Sequence, residues 1–162
     1  EHKDSTGRHE IIRQGDVQIM SAGSGIAHSE MNANRDKEVK FLQIWVFPKL
    51  QNITPRYEQK TFLPQGRQNR FQTVVAPNGG EAVTINQDAW FSLGNFEPEA
   101  TASYTLQGIN TGVYAFVIEG EIEINGQKLG RRDALGIWDT DTLLLSSYSN
   151  SEVLLIEVPM NL

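Results

Sequence analysis

The stretch from Gly15 to Met31 has the pattern of a β-strand, a glycine-rich turn and a second β-strand. Val17 and Ile19 alternate with polar residues, which is the period-two pattern of a strand with one buried face. Gly23 and Gly25 tolerate backbone angles that other residues resist, so they favour a sharp reversal of the chain. This stretch therefore predicts a β-structure in which tight turns separate short strands.

The second of these strands carries a histidine and a glutamate, His28 and Glu30, two positions apart. Side chains at i and i+2 of a strand project from the same face, about 7 Å apart along the strand. An imidazole and a carboxylate on one face can supply part of a metal site with nitrogen and oxygen ligands. The same pair also fits a polar strand face that is exposed to water, and the pair alone does not separate these two interpretations.

From Phe62 onward the sequence contains many short strand patterns separated by turn residues. The clearest is a hairpin within residues 113–129, where Ile122 and Ile124 alternate with glutamates and Asn125-Gly126 follows. Asn-Gly tolerates positive φ at both central positions, as a type I′ turn requires. Further strands are predicted at residues 83–85, 89–93, 103–106, 133–138 and 153–158, which together indicate a β-barrel or a β-sandwich.

Residues 39–47 form the most hydrophobic strand pattern of the chain, with apolar side chains on both faces. Such a pattern is typical of a strand that is covered on both sides, so we expect Phe41, Trp45 and Phe47 to lie in a core. The polar segment 48–70 that follows predicts a connection between two domains, with the boundary near Gln59.

Size and composition limit the class of protein. The 162 residues are 39% hydrophobic and 21% charged, as in an ordinary globular protein of one or two compact domains. A net charge of −6 argues against direct binding to nucleic acid or to anionic membranes. The chain has no cysteine for disulfides or thiolate ligands, no apolar run near 18 residues and no signal-peptide pattern. We therefore expect a soluble, cytoplasmic protein.

The spacing of glycines and histidine from Gly15 to His28 resembles the second motif of cupins, and the whole string to Met31 resembles the pirin family. Residues 1–7, Glu-His-Lys-Asp-Ser-Thr-Gly, and residues 53–58, Ile-Thr-Pro-Arg-Tyr-Glu, also match it, most closely in bacterial pirin-like quercetin 2,3-dioxygenases. The resemblance implies an all-β fold of two cupin barrels, a bicupin. Residues 1–58 would form the second half of the N-terminal, metal-site barrel, and residues 59–162 a C-terminal barrel without metal ligands.

In the pirin family the first cupin motif, with a His-x-His pair, lies upstream of the residues that match Glu1–Gly7. This chain contains no His-x-His, so we expect its N-terminal barrel to be incomplete. A complementary N-terminal fragment, a swapped neighbour or a dimer partner would then cover the open strand edges. His2 and His9 match no ligand position of the family, and we expect both to be solvated.

The resemblance also implies one divalent transition metal held by three histidines and one glutamate. His28 matches the third histidine and Glu30 the carboxylate ligand, with iron favoured and nickel, copper or manganese left open. Because only these two ligands are present, we expect the metal to be weakly bound or absent in this chain alone, and we expect no other cofactor.

For the intact protein the resemblance implies a dioxygenase that opens the heterocyclic ring of flavonols such as quercetin with O2. Glu30 would be the catalytic base that accepts the proton of the enol hydroxyl. Two alternatives stay open: a metal-dependent transcriptional co-regulator that binds other proteins, and an inactive truncated fragment. A flavonol-sized pocket would indicate the enzyme, and an exposed, conformation-sensitive surface around the metal would indicate the co-regulator.

Overall fold

The computed structural model describes residues 1–160, and nearly all of its regular structure is β-strand, as the sequence predicts. The strands are β1 (His2–Asp4), β2 (His9–Glu10), β3 (Asp16–Ser21), β4 (His28–Glu30), β5 (Arg56–Thr61), β6 (Phe71–Ala76), β7 (Val83–Thr84), β8 (Trp90–Phe96), β9 (Thr101–Thr105), β10 (Thr111–Glu119), β11 (Ile122–Ile124), β12 (Gln127–Leu129), β13 (Ala134–Ile137), β14 (Thr142–Ser147) and β15 (Ser151–Pro159). One 3-10 helix spans Pro64–Arg67. Within residues 1–160, no helix has the length and apolar character needed to cross a lipid bilayer.

Two sheets form the larger, C-terminal part of the molecule. A six-stranded sheet has the order β13-β10-β15-β8-β6-β7, and a four-stranded sheet has the order β12-β11-β14-β9. The first core lies where the side chains of these two sheets meet, and the alternation along each strand supplies its residues. Its fully buried members include Val113, Val117, Ile122, Ile124, Leu143, Val153 and Leu155.

A second core is built from Val74, Val83, Phe91 and Leu154, residues of strands β6, β7, β8 and β15. Strand β3, which pairs with β5 in a separate two-stranded sheet, packs its apolar side chains against this core. The six-stranded sheet is therefore covered by apolar residues on both faces. Residues from both sides of the predicted domain boundary share this second core, and β5 runs across residues 58 and 59, so the position of the boundary stays a prediction.

The hairpin predicted from Asn125-Gly126 is confirmed. Strands β11 and β12 pair antiparallel, with Ile124 opposite Gln127, and the two turn residues have φ values of 47° and 83°. Positive φ at both central positions is the geometry that favours Asn-Gly in this turn. The side-chain amide oxygen of Asn125 also accepts a hydrogen bond of 2.8 Å from the backbone nitrogen of Leu144, which connects the turn to β14.

The prediction that residues 39–47 form a buried strand is wrong for this chain. The segment has no regular secondary structure, and Phe41, Trp45 and Phe47 are 63%, 89% and 90% exposed. A strand needs hydrogen bonds to a neighbouring strand, and within residues 1–160 no strand pairs with this segment. Val46 alone packs against the second core, while Gln87 donates from its side chain to the carbonyl of Phe47 at 2.9 Å. Apart from Val46, the apolar side chains of this segment therefore form a surface that the described residues do not cover.

A buried carboxylate, Glu157 on β15, connects the end of β9 to the start of β10. Its oxygens accept hydrogen bonds from the Tyr104 hydroxyl (2.7 Å), the backbone nitrogens of Gln107 (2.9 Å) and Gly108 (2.7 Å), and the Thr111 hydroxyl (2.6 Å). Burial, together with the hydrogen bond to Glu157, raises the pKa of the Tyr104 phenol well above its usual range. All four partners are donors, so the site requires an acceptor with two oxygens.

We expect Glu157→Gln to destabilise the fold by about 1–3 kcal/mol, because the amide nitrogen of glutamine would face donors and leave them without an acceptor. The measurement is the free energy of unfolding in urea at neutral pH. The matched control is the exposed Glu81→Gln, for which we expect a change within about 0.5 kcal/mol. Equal effects of the two substitutions would contradict a structural role for Glu157.

Candidate metal centre

The pairing of β1 with β4 brings four polar side chains to one face of a small sheet. The two strands are antiparallel, with His2 opposite Glu30 and Asp4 opposite His28. Residues opposite each other, and residues two apart on one strand, project from the same face. The predicted pair His28 and Glu30 therefore lies beside a second pair, His2 and Asp4, that the sequence analysis did not assign to the site.

The glycine-rich turn brings β4 to this position. Gly23 has a φ of 57°, and an ideal Cβ built there would lie 1.9 Å from the carbonyl oxygen of Ile53. The adjacent Ser24 donates its backbone N–H to that carbonyl at 3.0 Å, so a side chain at position 23 would separate the turn from its partner. The strands before and after the turn belong to different sheets: β3 pairs with β5, and β4 pairs with β1.

His2 is buried, with 1% of its surface exposed, so the prediction that it is solvated is wrong. Its Nδ1 lies 2.9 Å from Oε1 of Glu30, and its Nε2 lies 3.2 Å from Oδ2 of Asp4. Each ring nitrogen therefore faces a carboxylate oxygen within hydrogen-bond distance. Neither ring nitrogen is left for a metal. His9, by contrast, is exposed as predicted, with its Nε2 3.3 Å from a carboxylate oxygen of Glu1.

The Glu30 carboxylate is held by one of its two oxygens. Besides His2, the Nε2 of Gln18 donates to the same Oε1 at 2.7 Å. Every hydrogen bond that residues 1–160 make to this carboxylate goes to Oε1, which leaves Oε2 open. The side chain is 21% exposed, so the carboxylate is partly accessible from outside the sheet. The side-chain oxygen of Gln18 is buried and has no hydrogen-bond partner among the described residues.

His28, the other predicted ligand, has an exposed side chain. Its ring stacks on that of His2, with ring centroids 5.6 Å apart and an interplanar angle of 21°. The donor types suit a divalent transition metal, because an imidazole and an open carboxylate oxygen are ligands such ions accept. Within residues 1–160, however, no three His, Asp or Glu side chains converge as a metal site requires. The described residues thus fit one part of a metal site.

Residues 56–58 lie at the edge of the candidate centre. Tyr57 packs its ring against His2 at a centroid distance of 5.1 Å, and the Arg8 guanidinium lies 4.7 Å from the Tyr57 ring centroid. Burial is the main cause that raises the pKa of Tyr57 to about 12, with the negative charges of Glu10 and Glu30 adding to it. Arg56 donates to the carbonyl of Thr84 at 2.9 Å, which connects β5 to β7.

Comparisons with known proteins identify the family of this chain. The family model described as Pirin matches residues 1–46, and the model described as Quercetinase C-terminal cupin domain matches residues 73–158. A quercetin 2,3-dioxygenase of Escherichia coli K12 is 35% identical over 161 residues, which cover 98% of this chain and 68% of that protein. The chain belongs to the pirin family.

Solved pirin structures support the assignment of the fold. YhhW from Escherichia coli superimposes with a TM-score of 0.90 at 34% identity, covering 98% of this chain and 66% of YhhW. A second structure, bacterial pirin YhhW in complex with nickel(II), gives a TM-score of 0.89 at 34% identity, with coverage of 98% and 67%. The chain therefore spans about two thirds of the length of these pirins, and its architecture is of the cupin type.

Sequence reasoning selected His28 and Glu30, whose role as metal ligands stays a prediction, but not the residues that contact them. The available signal was the alternation in the first strand, where His2 and Asp4 stand two apart just as His28 and Glu30 do. Strand pairing could not be read from the sequence, so the two pairs could not be placed opposite each other. Gln18, in β3, joins the group from a different sheet.

The acid stability of this pirin should depend on Asp4. The hydrogen bond from the Thr6 side chain is the largest of the effects that bring the pKa of Asp4 from 3.8 down to about 2, opposed by burial. A carboxyl whose pKa is lower in the folded state stabilises the fold above its unfolded pKa, and that stabilisation is lost as the pH falls through the folded value. We therefore expect the destabilisation caused by Asp4→Asn to be full above about pH 5 and to shrink between about pH 4 and about pH 2.

The measurement is the urea midpoint of wild type and variant across this pH range. The exposed Asp36→Asn serves as the control, and its difference from wild type should stay flat. A difference between wild type and Asp4→Asn that does not change with pH would contradict the assignment.

Proposed function

We propose that this pirin chain forms part of a cytoplasmic, metal-dependent dioxygenase that opens the heterocyclic ring of flavonols such as quercetin with O2. The proposal is supported by the family assignment, by the relative named quercetin 2,3-dioxygenase and by the nickel(II) complex of YhhW. The observation that carries it is the arrangement of β4, where an exposed imidazole and a carboxylate with one open oxygen share a face.

His28 and Glu30 are the two ligands that this chain would contribute, and iron, nickel, copper or manganese suits such nitrogen and oxygen donors. The metal, when bound, supplies Lewis-acid and redox chemistry toward the flavonol and O2. Two further histidines, expected from a His-x-His segment outside this chain, would complete the site.

Glu30 acts as the catalytic base in this proposal. The O–H bond of the flavonol hydroxyl breaks, its proton passes to the lone pair of Glu30 Oε2 that would not face the metal, and the electron pair of the broken bond stays on the flavonol oxygen. Oε1 cannot accept this proton, because it already accepts hydrogen bonds from His2 and Gln18. The partial exposure of Glu30 gives a substrate access to Oε2.

The central test compares Glu30→Gln with His28→Ala in the complete protein that contains the His-x-His segment. Glu30→Gln keeps the shape but removes the charge and the basicity, so we expect turnover of quercetin to fall by about 10²–10⁴-fold while some metal is retained. His28→Ala removes a ligand, so metal and activity should be lost together. The measurements are loss of flavonol absorbance, oxygen uptake and metal content after dialysis.

The controls are His9→Ala and Glu81→Gln, two exposed positions outside the centre, which should keep both metal and turnover. The 162-residue chain alone should retain clearly less than one equivalent of metal and should be inactive. Full turnover by Glu30→Gln would refute the role of Glu30 as base. A complete, metal-loaded protein that leaves flavonols untouched would instead favour a metal-dependent co-regulator.

The exposed segment 39–47 is the surface through which we expect this chain to contact further protein. Monomeric globular proteins rarely expose contiguous apolar surface of this kind, and such surface marks a contact with further protein. Since the chain spans about two thirds of the length of related pirins, we propose that further strands of the N-terminal barrel cover this segment in the complete protein. In the chain alone, a second copy would take their place.

We expect the isolated chain to self-associate through this segment. The double substitution Trp45→Ser/Phe47→Ser should weaken self-association by about tenfold or more, because it removes the two most exposed aromatic side chains of the segment. Sedimentation velocity over a range of concentrations measures the effect. The double substitution Ile109→Ser/Trp138→Ser removes two exposed apolar side chains elsewhere and should change nothing. A wild-type chain that stays monomeric would contradict the proposal.

A further inference from the structure

Glu30 is held by a relay of hydrogen bonds that begins in the turn after β1. The carboxylate of Asp4 accepts hydrogen bonds at Oδ1 from the Thr6 side chain (2.6 Å) and from the backbone nitrogens of Thr6 (2.9 Å) and Arg8 (3.2 Å). Its other oxygen faces His2 at 3.2 Å, and His2 in turn faces Glu30 at 2.9 Å. The relay therefore runs from backbone groups of a turn to one oxygen of the predicted base and ligand.

Packing fixes the imidazole in the middle of this relay. The His2 ring contacts the ring of Tyr57 at a centroid distance of 5.1 Å and the ring of His28 at a centroid distance of 5.6 Å. A side chain with 1% exposure and a partner at each ring nitrogen has little rotational freedom. The position of His2 thus constrains Glu30 by a hydrogen bond and His28 by ring contact.

We propose that His2, oriented by Asp4, is a positioning residue for both β4 ligands of the metal centre. It holds Oε1 of Glu30 so that Oε2 stays open to metal and substrate, and its ring limits the rotation of His28. Hydrogen-bond partners of metal ligands fix ligand orientation, and their removal weakens metal affinity. The inference rests on the proposed function only in naming the metal site; the positioning of Glu30 by His2 is a property of the chain itself.

The test uses three substitutions at position 2. His2→Asn keeps a nitrogen donor near the place of Nδ1, which faces Glu30, whereas His2→Gln places its amide near Nε2, which faces Asp4. His2→Phe keeps a ring that can stack on His28 but removes both hydrogen bonds. The control is His9→Asn, at an exposed histidine on the neighbouring strand.

In the complete protein we expect Ni²⁺ affinity, measured by titration calorimetry, to fall about 10- to 100-fold in His2→Phe and His2→Gln. His2→Asn should recover most of the loss, and His9→Asn should match wild type. Turnover should follow the same order in kcat with little change in KM. Equal Ni²⁺ affinity of wild type, His2→Asn and His2→Gln would overturn the proposal, even if His2→Phe fails to fold.

A second measurement needs no metal. In the 162-residue chain, the side-chain amide signals of Gln18 in a nitrogen–proton NMR spectrum report on its hydrogen bond to Glu30. We expect these signals to move in His2→Gln and to stay near wild type in His2→Asn and His9→Asn. Unchanged Gln18 signals in His2→Gln would overturn the proposal. If the complete wild-type protein binds no Ni²⁺, the proposed function fails, and the Gln18 signals still decide whether His2 positions Glu30.

Discussion

Strand β15 lies inside the six-stranded sheet, between β10 and β8, and both of its faces are buried. Val153 and Leu155 enter the first core, and Leu154 enters the second. Apolar burial on both faces, at about 25 cal/mol per Å², therefore stabilises this sheet. The two-stranded sheet is attached to it, because Val17 and Ile19 of β3 pack against the second core and β5 pairs with β3.

The candidate metal centre lies on the part of the chain that has the least core of its own. Among the described residues, strand β4 pairs with β1 alone, in a three-stranded sheet of short strands, and none of its side chains belongs to either core. Packing energy therefore cannot fix the orientation of Glu30, and polar contacts must do so. The burial of His2 between two carboxylates is explained by this need, since a buried polar group is tolerated when its hydrogen bonds are satisfied.

The fold class and the C-terminal hairpins could be predicted from sequence, because turn chemistry and alternation are local. Asn125-Gly126 fixes its turn whatever surrounds it. The segment 39–47 and β15 have similar apolar patterns, yet one is exposed and the other is central, because the pattern does not say which partner strands are present. His2 was misjudged for the same reason: its burial follows from pairing with β4, a contact 28 residues away along the chain.

Because polar contacts within the chain hold Glu30, this part of the candidate site can keep its shape. The relay from the turn after β1 to Glu30 uses only residues 2–8, Gln18 and Glu30, all within this chain. The Glu30 carboxylate is thus oriented by residues of this chain, and orientation in advance lowers the ordering cost of any binding at this position. The exposed aromatic side chains of residues 39–47 are not held in this way, since no described strand pairs with this segment. In this pirin, hydrogen bonds within the chain therefore set the geometry of the Glu30 carboxylate, while the apolar segment 39–47 stays uncovered by the described residues.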